Sequence, residues 1–142
     1  MDIAINGIDP NVSAGIGLAS GDLNNDGVDD LIVGAYLAAL GGKANAGETY
    51  VLFGPLAEGT LELSTATDIT INGIDPNDRA GIGLASGDIN NDGVDDLIVG
   101  AYLADPGGKA NAGETYVLFG PLAARKSTRL NSSHKPTPNA VL

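Results

Sequence analysis

The chain has 142 residues, a formal net charge of −11 and no cysteine. Its length allows one ordinary domain, and the lack of cysteine rules out a disulfide framework and thiol chemistry. All 18 acidic residues lie before residue 115, whereas four of the seven basic residues follow residue 124. An acidic body argues against a nucleic-acid partner, which needs basic patches. The sequence has no run of about 18 apolar residues, so membrane insertion is not expected.

The body of the chain is an internal duplication with an offset of 66 residues. Residues 2–57 align with residues 68–123, and six of the 56 aligned positions differ. The differing pairs are Ala4/Thr70, Val12/Asp78, Ser13/Arg79, Leu23/Ile89, Ala39/Asp105 and Leu40/Pro106. Because self-similarity at a fixed period defines repeat architectures, the sequence predicts two repeats, 1–67 and 68–123, followed by a tail, 124–142.

Each repeat is predicted to form four short strands. In the first repeat these are residues 2–8, the small apolar residues 15–21, the continuous apolar run 30–36, and residues 48–53, which are rich in strand formers. The equivalent strands of the second repeat are 68–74, 81–87, 96–102 and 114–119. A short additional strand is expected around residues 61–63. A continuous apolar run indicates a strand that is covered on both faces.

Four strands repeated every 60–66 residues are typical of β-propeller blades. The sequence therefore predicts an all-β fold of two tandem four-stranded antiparallel β-propeller blades, a partial propeller. The first two strands of a blade are 15–21 and 30–36 in the first repeat, and 81–87 and 96–102 in the second. The segment between these two strands is rich in aspartate and asparagine in both repeats.

That segment reads DLNNDGVDD at residues 22–30 and DINNDGVDD at residues 88–96. Side-chain oxygens fall at positions 1, 3, 5 and 9, position 7 offers a backbone carbonyl, and glycine at position 6 permits a sharp reversal. Calcium takes 6–8 oxygen ligands at about 2.3–2.6 Å, so the spacing predicts two Ca²⁺ sites. The predicted ligands are Asp22, Asn24, Asp26, Val28 and Asp30 in the first loop, and Asp88, Asn90, Asp92, Val94 and Asp96 in the second.

Two other structures could account for the same loop sequence. An EF-hand needs a glutamate at position 12, where this chain has Val33 and Val99. A solvated acidic turn remains open because Asn-Asp-Gly is strong turn chemistry. Against that turn, the three carboxylates at positions 1, 5 and 9 repel one another unless a cation lies among them. Asp29 and Asp95, at position 8, are expected to be solvated.

These motifs resemble the FG-GAP repeat, the blade unit of integrin α-subunit propellers and of many large bacterial surface proteins. The resemblance covers nearly all of residues 2–123 and rests on Gly-Asp before each loop, LIVGAY after it, and GETYVLFG at the last strand. The chain departs from the family pattern at two places in each repeat. The family phenylalanine is Ala14 and Ala80, and the family proline is Tyr36 and Tyr102. The lost phenylalanine removes packing between blades, which we expect the tyrosines to replace in part.

The resemblance implies that the first strand of each repeat completes the preceding blade. Residues 68–74 would then be the outer strand of the first blade, and residues 2–8 would serve a blade before it. The second blade would lack an outer strand. Because propellers of this family usually have seven blades, the chain is predicted to be a fragment of a longer array. Its expected partners are adjacent blades or further copies of itself.

The tail, 124–142, differs in composition from the repeats and is basic and polar. Residues 125–134 are similar to the conceptual translation of a common sequencing adapter. We therefore predict a disordered and artefactual tail. The alternative is a genuine disordered arm with affinity for anionic surfaces.

By resemblance, the chain is a non-catalytic calcium-binding segment of a secreted or cell-surface protein, of bacterial type, that contacts a protein or glycan in adhesion. Loops 37–47 and 103–113 are its candidate ligand surfaces. The alternative is an accessory segment of a larger secreted hydrolase. No catalytic residue is predicted, because the lone histidine, His134, lies in the tail and a nucleophilic triad cannot be assembled. A glycosidase-type carboxylate pair is less suitable than a metal loop for the duplicated acidic clusters.

Overall fold

The structure is a computed structural model, and it describes residues 2–39 and 42–130. These residues form ten strands, a single-turn helix, α1 (Leu63–Ala66), and a short 3-10 helix, Pro106–Gly108. The strands are β1 (Ile3–Asn6), β2 (Ala14–Gly21), β3 (Asp30–Ala35), β4 (Glu48–Leu52), β5 (Gly59–Glu62), β6 (Ile69–Asn72), β7 (Gly83–Gly87), β8 (Asp96–Ala101), β9 (Glu114–Leu118) and β10 (Arg125–Arg129). Neither helix within the described ranges is long and apolar enough to cross a membrane.

The first blade is completed by the second repeat, as predicted. Strands β2, β3 and β4 form an antiparallel meander, and β6 pairs antiparallel with β4. The register places Glu48 opposite Asn72 and Val51 opposite Ile69. The first strand of one repeat thus closes the sheet of the repeat before it, which ties the two repeats together by main-chain hydrogen bonds.

The second blade has three strands, in the order β7-β8-β9. Its register copies that of the first blade: Leu84 lies opposite Val99 as Leu18 lies opposite Val33. Within the described part of the chain no fourth strand pairs with β9.

Two parallel strand pairs lie outside the meanders, and they are equivalent by the 66-residue offset. β1 pairs with β5, with Ile3 opposite Gly59. β10 pairs with β6, with Ile69 opposite Arg125. The connector strand expected near residues 61–63 is therefore present as β5.

The prediction of a disordered tail from residue 124 is wrong for its first part, because residues 125–129 form β10. The physical reason is the outer edge of β6, whose backbone groups find partners in this strand. The Arg125 N–H donates to the Asp68 carbonyl at 2.8 Å, and the Leu130 N–H donates to the Asn72 carbonyl at 3.2 Å. Residues 131–142 lie outside the described residues.

A hydrophobic core lies between the blades. It joins Ile32 and Val51 of the first blade to Val99 and Leu118 of the second. Leu23, from the first Asp-rich loop, is also fully buried in this core. Burial of each such side chain contributes about 1.5–3 kcal/mol, so the contact between the blades is a main source of stability.

A second core covers the other face of the first blade. Val33, Tyr50 and Leu52 are buried there together with Leu63 of α1, and Ile5 of β1 packs against them. Strand β3 is therefore covered on both faces, as its continuous apolar run predicted.

Close approach of the two backbones explains several glycines of the first blade. A Cβ atom at Gly17 or Gly34 would overlap the carbonyl oxygen of Gly81, and one at Gly47 would overlap that of Ala80. The equivalent of Gly17 in the second blade, Gly83, has open space around it.

Candidate metal loops and their surroundings

Both Asp-rich loops have the same backbone conformation. Each connects the first two strands of its blade, β2 to β3 and β7 to β8. In the first loop Asn25 has φ 61° and Gly27 has φ 87°, and in the second Asn91 and Gly93 have the same two values. Glycine at position 6 thus adopts the left-handed conformation that the predicted reversal requires.

The aspartate at position 1 closes each loop. The Asp22 carboxylate accepts the backbone N–H of Asp26 at 3.1 Å and that of Gly27 at 2.8 Å. In the second loop Asp88 accepts the corresponding bonds from Asp92 and Gly93 at 3.0 and 2.7 Å. Backbone N–H groups, that of Gly93 foremost, hold the pKa of Asp88 below its usual range, because hydrogen bonds favour the ionised form. The Asp88 carboxylate is therefore anionic at neutral pH.

The aspartate at position 9 is buried and links the loop to the residues that follow the third strand of its blade, which is β4 in the first blade and β9 in the second. Asp30 accepts the N–H of Leu23 at 2.8 Å and that of Gly54 at 2.9 Å. Asp96 repeats this arrangement in the second blade. Burial raises the pKa of Asp30, and the two N–H groups oppose that effect. Each carboxylate oxygen keeps a second lone pair, so these bonds leave capacity for a cation.

The asparagine at position 3 carries the clearest sign of a missing partner. Asn24 Oδ1 is buried and has no hydrogen-bond partner, although the Asn24 amide nitrogen lies 3.3 Å from Asp26 Oδ2. In the second loop one terminal atom of the Asn90 amide lies 3.1 Å from Asp88 Oδ1 and 3.1 Å from Asp92 Oδ1. As nitrogen, this atom would donate to both carboxylates. As oxygen, it would complete a group of three oxygens that only a cation stabilises.

The residues of the loops fit a calcium ion in donor chemistry. Positions 1, 3 and 5 come together in both loops, and oxygen is the donor that calcium prefers. Across residues 2–39 and 42–130, no group of three or more His, Cys, Asp or Glu side chains is placed to hold a metal. Two carboxylates and an amide form the cluster instead, and position 9 is engaged by backbone N–H groups. The valine at position 7, Val28 or Val94, donates its N–H to the position-5 aspartate at 3.0 Å.

The two aspartates at position 8 have different surroundings. Asp29 is exposed, as the sequence predicted. Asp95 is partly buried, and its Oδ2 accepts the backbone N–H of Asp22 at 3.1 Å. The expectation of a solvated side chain is therefore wrong for Asp95, because it lies at the contact between the blades.

Sequence reasoning missed a buried acidic group at the opposite end of the strands. The Tyr50 hydroxyl donates to Glu48 at 2.9 Å, and the Tyr116 hydroxyl donates to Glu114 at 2.9 Å. Burial raises the pKa of Glu48 and of both tyrosines. The signal was present in the Glu-x-Tyr spacing, which places both side chains on one face of a strand.

Asp78 belongs to the same region and replaces the valine of the first repeat. It is buried, and burial raises its pKa to about 6, with Asp75, Asp105 and Glu114 adding repulsion. The neighbouring Arg79 Nη1 donates to the Tyr102 hydroxyl at 3.0 Å. Its guanidinium also lies 5.9 Å from the centre of the Tyr36 ring, a distance suited to a cation–π contact. Arg79 thus connects the tyrosines of the two blades.

Loop 37–47, a candidate ligand surface, has a structural role in its second half. The segment that leads into the second blade packs on it through backbone bonds: Asn77 N–H to the Ala44 carbonyl at 2.8 Å and Ala80 N–H to the Ala46 carbonyl at 2.9 Å. Lys43 Nζ also donates to the Ile74 carbonyl at 2.7 Å. Loop 103–113 is mostly exposed and is the better candidate for contact with a ligand.

The strand order, the shared outer strand and the loop between the first two strands define this chain as a pair of β-propeller blade repeats. A family model described as "FG-GAP repeat" matches residues 14–52 and 80–118. The chain belongs to the FG-GAP repeat family, whose repeats are generally non-catalytic.

Relatives of two kinds share this region. The chain is 36% identical over 117 residues to phosphatidylinositol-glycan-specific phospholipase D of Rattus norvegicus, an alignment that covers 80% of this chain and 14% of that protein. It is 35% identical over 113 residues to integrin alpha-PS2 of Drosophila melanogaster, with 75% and 8% covered. It is 34% identical over 112 residues to integrin alpha-5 of Xenopus laevis, with 75% and 10% covered. The chain spans about a seventh of these relatives' length or less.

Proposed function

We propose that loops 22–30 and 88–96 each bind one calcium ion, and that the two blades are a calcium-stabilised interaction segment of an extracellular or cell-surface protein. The observation that carries this proposal is the buried Asn24 Oδ1 without a hydrogen-bond partner, in a loop whose other ligand candidates are carboxylates. A buried polar atom that lacks a partner costs about 1–3 kcal/mol. A bound cation removes that cost.

A metal ion bound in the first loop would also support the contact between the two blades. Asp22 is bonded through its N–H to Asp95, and Leu23 is buried against the second blade. When bound, calcium supplies a positive charge that offsets the repulsion between Asp22 and Asp26. Holding these residues in place would also fix Leu23. Calcium in the first loop should therefore stabilise both blades together.

Thermal unfolding of the full chain in calcium, in magnesium and in chelator tests this proposal. Binding to the native state alone stabilises a protein by about 2.7 kcal/mol at 100-fold excess over Kd. We expect a rise in Tm that is specific to calcium. The near-isosteric variant Asp26→Asn with Asp92→Asn should lose that rise yet keep its Tm in chelator within a few degrees. Unchanged Tm in millimolar calcium would show that the loops are only turns.

The second part of the proposal is that this segment contacts a protein or a glycan. It is supported by the similarity to two integrin alpha chains and by the exposed loop 103–113. An extracellular site also suits calcium loops of moderate affinity, because extracellular modules bind calcium with Kd of about 10⁻⁴–10⁻³ M. Screening the full chain on glycan and matrix-protein arrays in calcium and in chelator would test it. Binding in neither condition would reject this role.

A second candidate function is an accessory, non-catalytic part of a larger secreted hydrolase. The identity of 36% to a phospholipase D over 80% of this chain supports it. Sequencing the gene on both sides of this region would show whether a hydrolase domain is encoded in the same reading frame. A frame made up of repeats alone would exclude this candidate.

A further inference from the structure

A hydrogen bond connects the first candidate metal loop directly to the second. The Asp22 N–H, at position 1 of the first loop, donates to Asp95 Oδ2 at 3.1 Å. Asp95 is position 8 of the second loop, and the candidate ligands Val94 and Asp96 lie on either side of it in the sequence. A candidate ligand residue of one loop is thus held by a residue placed between two candidate ligands of the other.

A second connection joins the position-9 aspartates of the two loops. The Asp96 carboxylate accepts the N–H of Gly120 at 2.8 Å, and two residues further along the chain the Leu122 N–H donates to the Leu23 carbonyl at 2.7 Å. The Leu23 N–H in turn donates to the Asp30 carboxylate at 2.8 Å. The two position-9 carboxylates are therefore linked through Leu23 and the three residues from Gly120 to Leu122.

Both connections lie among closely packed groups. Leu23 and Leu122 are buried in the core between the blades. A Cβ atom at Gly120 would lie 3.3 Å from the Leu23 carbonyl oxygen, and one at Gly21 would lie 3.0 Å from Asp95 Oδ2. Because close-packed interiors transmit strain, a shift in one loop is passed on to the other.

The backbone around Asp95 would be fixed on both sides when the second loop holds a cation. The candidate ligands there are the Val94 carbonyl at position 7 and the Asp96 carboxylate at position 9. Asp95 would then hold the Asp22 N–H with less freedom to move, so the first loop has less conformational entropy left to lose when it binds its own cation. Binding at one loop therefore favours binding at the other, and linkage makes the effect equal in both directions.

We propose that the two loops bind calcium with positive cooperativity, and that Asp95 is the positioning residue that couples them. This inference rests on the proposed function, in which each loop binds one calcium ion. Asp95 acts through its bond to the Asp22 N–H, not as a ligand. Coupling between sites typically changes affinity by about 5- to 150-fold, and we expect a factor of about 5 here because few bonds carry it.

Calcium titration calorimetry of the full chain and of two single-loop variants measures the coupling. Asp92→Asn leaves the first loop intact, and Asp26→Asn leaves the second intact. The product of the two association constants of the unmodified chain, divided by the product of the two single-loop constants, is the coupling factor, by the logic of a double-mutant cycle. A factor of about 5 is expected, and a factor of one means that the loops load independently.

The same titrations with Asp95 replaced test its role. In the Asp95→Ala background the coupling factor should fall below about 2, because the Asp22 N–H loses its acceptor. Asp29→Ala is the matched control, since Asp29 is the exposed equivalent of Asp95 in the first loop, and it should leave the factor unchanged. Asp95→Asn keeps an oxygen that can accept the Asp22 N–H, so it should keep the factor, whereas an effect of the Asp95 charge alone would be lost.

The outcomes separate this inference from the proposed function. A coupling factor of one in a chain that binds calcium at both loops would overturn the cooperativity and leave calcium binding in place. A factor that Asp95→Ala does not reduce, or that Asp29→Ala reduces equally, would overturn the role of Asp95. If neither the unmodified chain nor the single-loop variants bind calcium, the proposed function fails and the cooperativity fails with it.

Discussion

The backbone N–H of Asp22, the first residue of the first candidate metal loop, donates to the carboxylate of Asp95 in the second blade, with 3.1 Å between N and Oδ2. This bond joins a candidate ligand residue of one blade to the position-8 aspartate of the next. Asp29, the repeat equivalent of Asp95, is exposed. The same residue type at the same loop position therefore has a structural role in one repeat only.

Replacing Asp95 should therefore destabilise the chain, whereas replacing Asp29 should not. We expect Asp95→Ala to lower the free energy of unfolding by about 1 kcal/mol, the typical net contribution of a hydrogen bond. Asp29→Ala should change it by less than about 0.5 kcal/mol, as is usual for surface positions. Urea denaturation in chelator measures both without a metal contribution. Equal losses would show that the Asp22–Asp95 bond is not a source of stability.

A second matched pair lies next in sequence. Leu23 is fully buried between the blades, and Ile89 is 56% exposed. Leu23→Ala should cost about 2–5 kcal/mol, because it removes buried methyl groups and leaves a cavity. Ile89→Ala should cost less than about 1 kcal/mol in a dilute monomer. Thermal unfolding at low protein concentration compares them, and a larger loss for Ile89→Ala would contradict the contact between the blades.

The glycines of β3 and β8 give a third test. A Cβ atom at Gly34 would overlap the Gly81 carbonyl oxygen, whereas one at Gly100 would lie 3.5 Å from the nearest atom, the Gly83 carbonyl oxygen. Gly34→Ala should lower stability by about 1–3 kcal/mol or more, the usual cost of overpacking. Gly100→Ala should be close to neutral in the monomer. Circular dichroism followed during heating reports both, and similar melting curves would reject the close backbone approach.

Asp78 predicts a dependence of stability on pH. Its pKa is raised to about 6 by burial and by Asp75, Asp105 and Glu114. Because the folded-state pKa lies above the unfolded value, Asp78 disfavours folding above pH 6, and this effect disappears as pH falls below the unfolded value near 4. Asp78→Val, which introduces the residue of the first repeat, should raise Tm at pH 7.5 by several degrees.

The advantage of Asp78→Val should shrink as pH falls from about 7 to 4, when Asp78 becomes protonated in both states. Glu58→Gln, at an exposed site in the connector, is the control for a lost negative charge and should show no such trend. Melts of the three proteins in chelator across this pH range provide the measurement. A difference in Tm that is independent of pH would mean that burial of the ionised Asp78 carboxylate does not destabilise the fold.

The repeat pattern was enough to predict most of the fold. Strand positions followed from apolar runs and turn residues, and the 66-residue offset with the family resemblance placed residues 68–74 beside the first blade, where β6 lies. The candidate ligands at positions 1, 3 and 5 lie within five consecutive residues, so local loop geometry brings them together without help from distant residues.

Only the tertiary structure distinguished the two copies. Leu23 and Ile89, like Asp95 and Asp29, have nearly the same local sequence but opposite surroundings. Local sequence determines backbone conformation and hydrogen bonds within the loop, which is why both loops are alike. Burial depends on the neighbouring blade. The second repeat covers one face of the first repeat, and the equivalent face of the second repeat has no such neighbour among the described residues. This difference in neighbours decides which copy of each residue stabilises the fold.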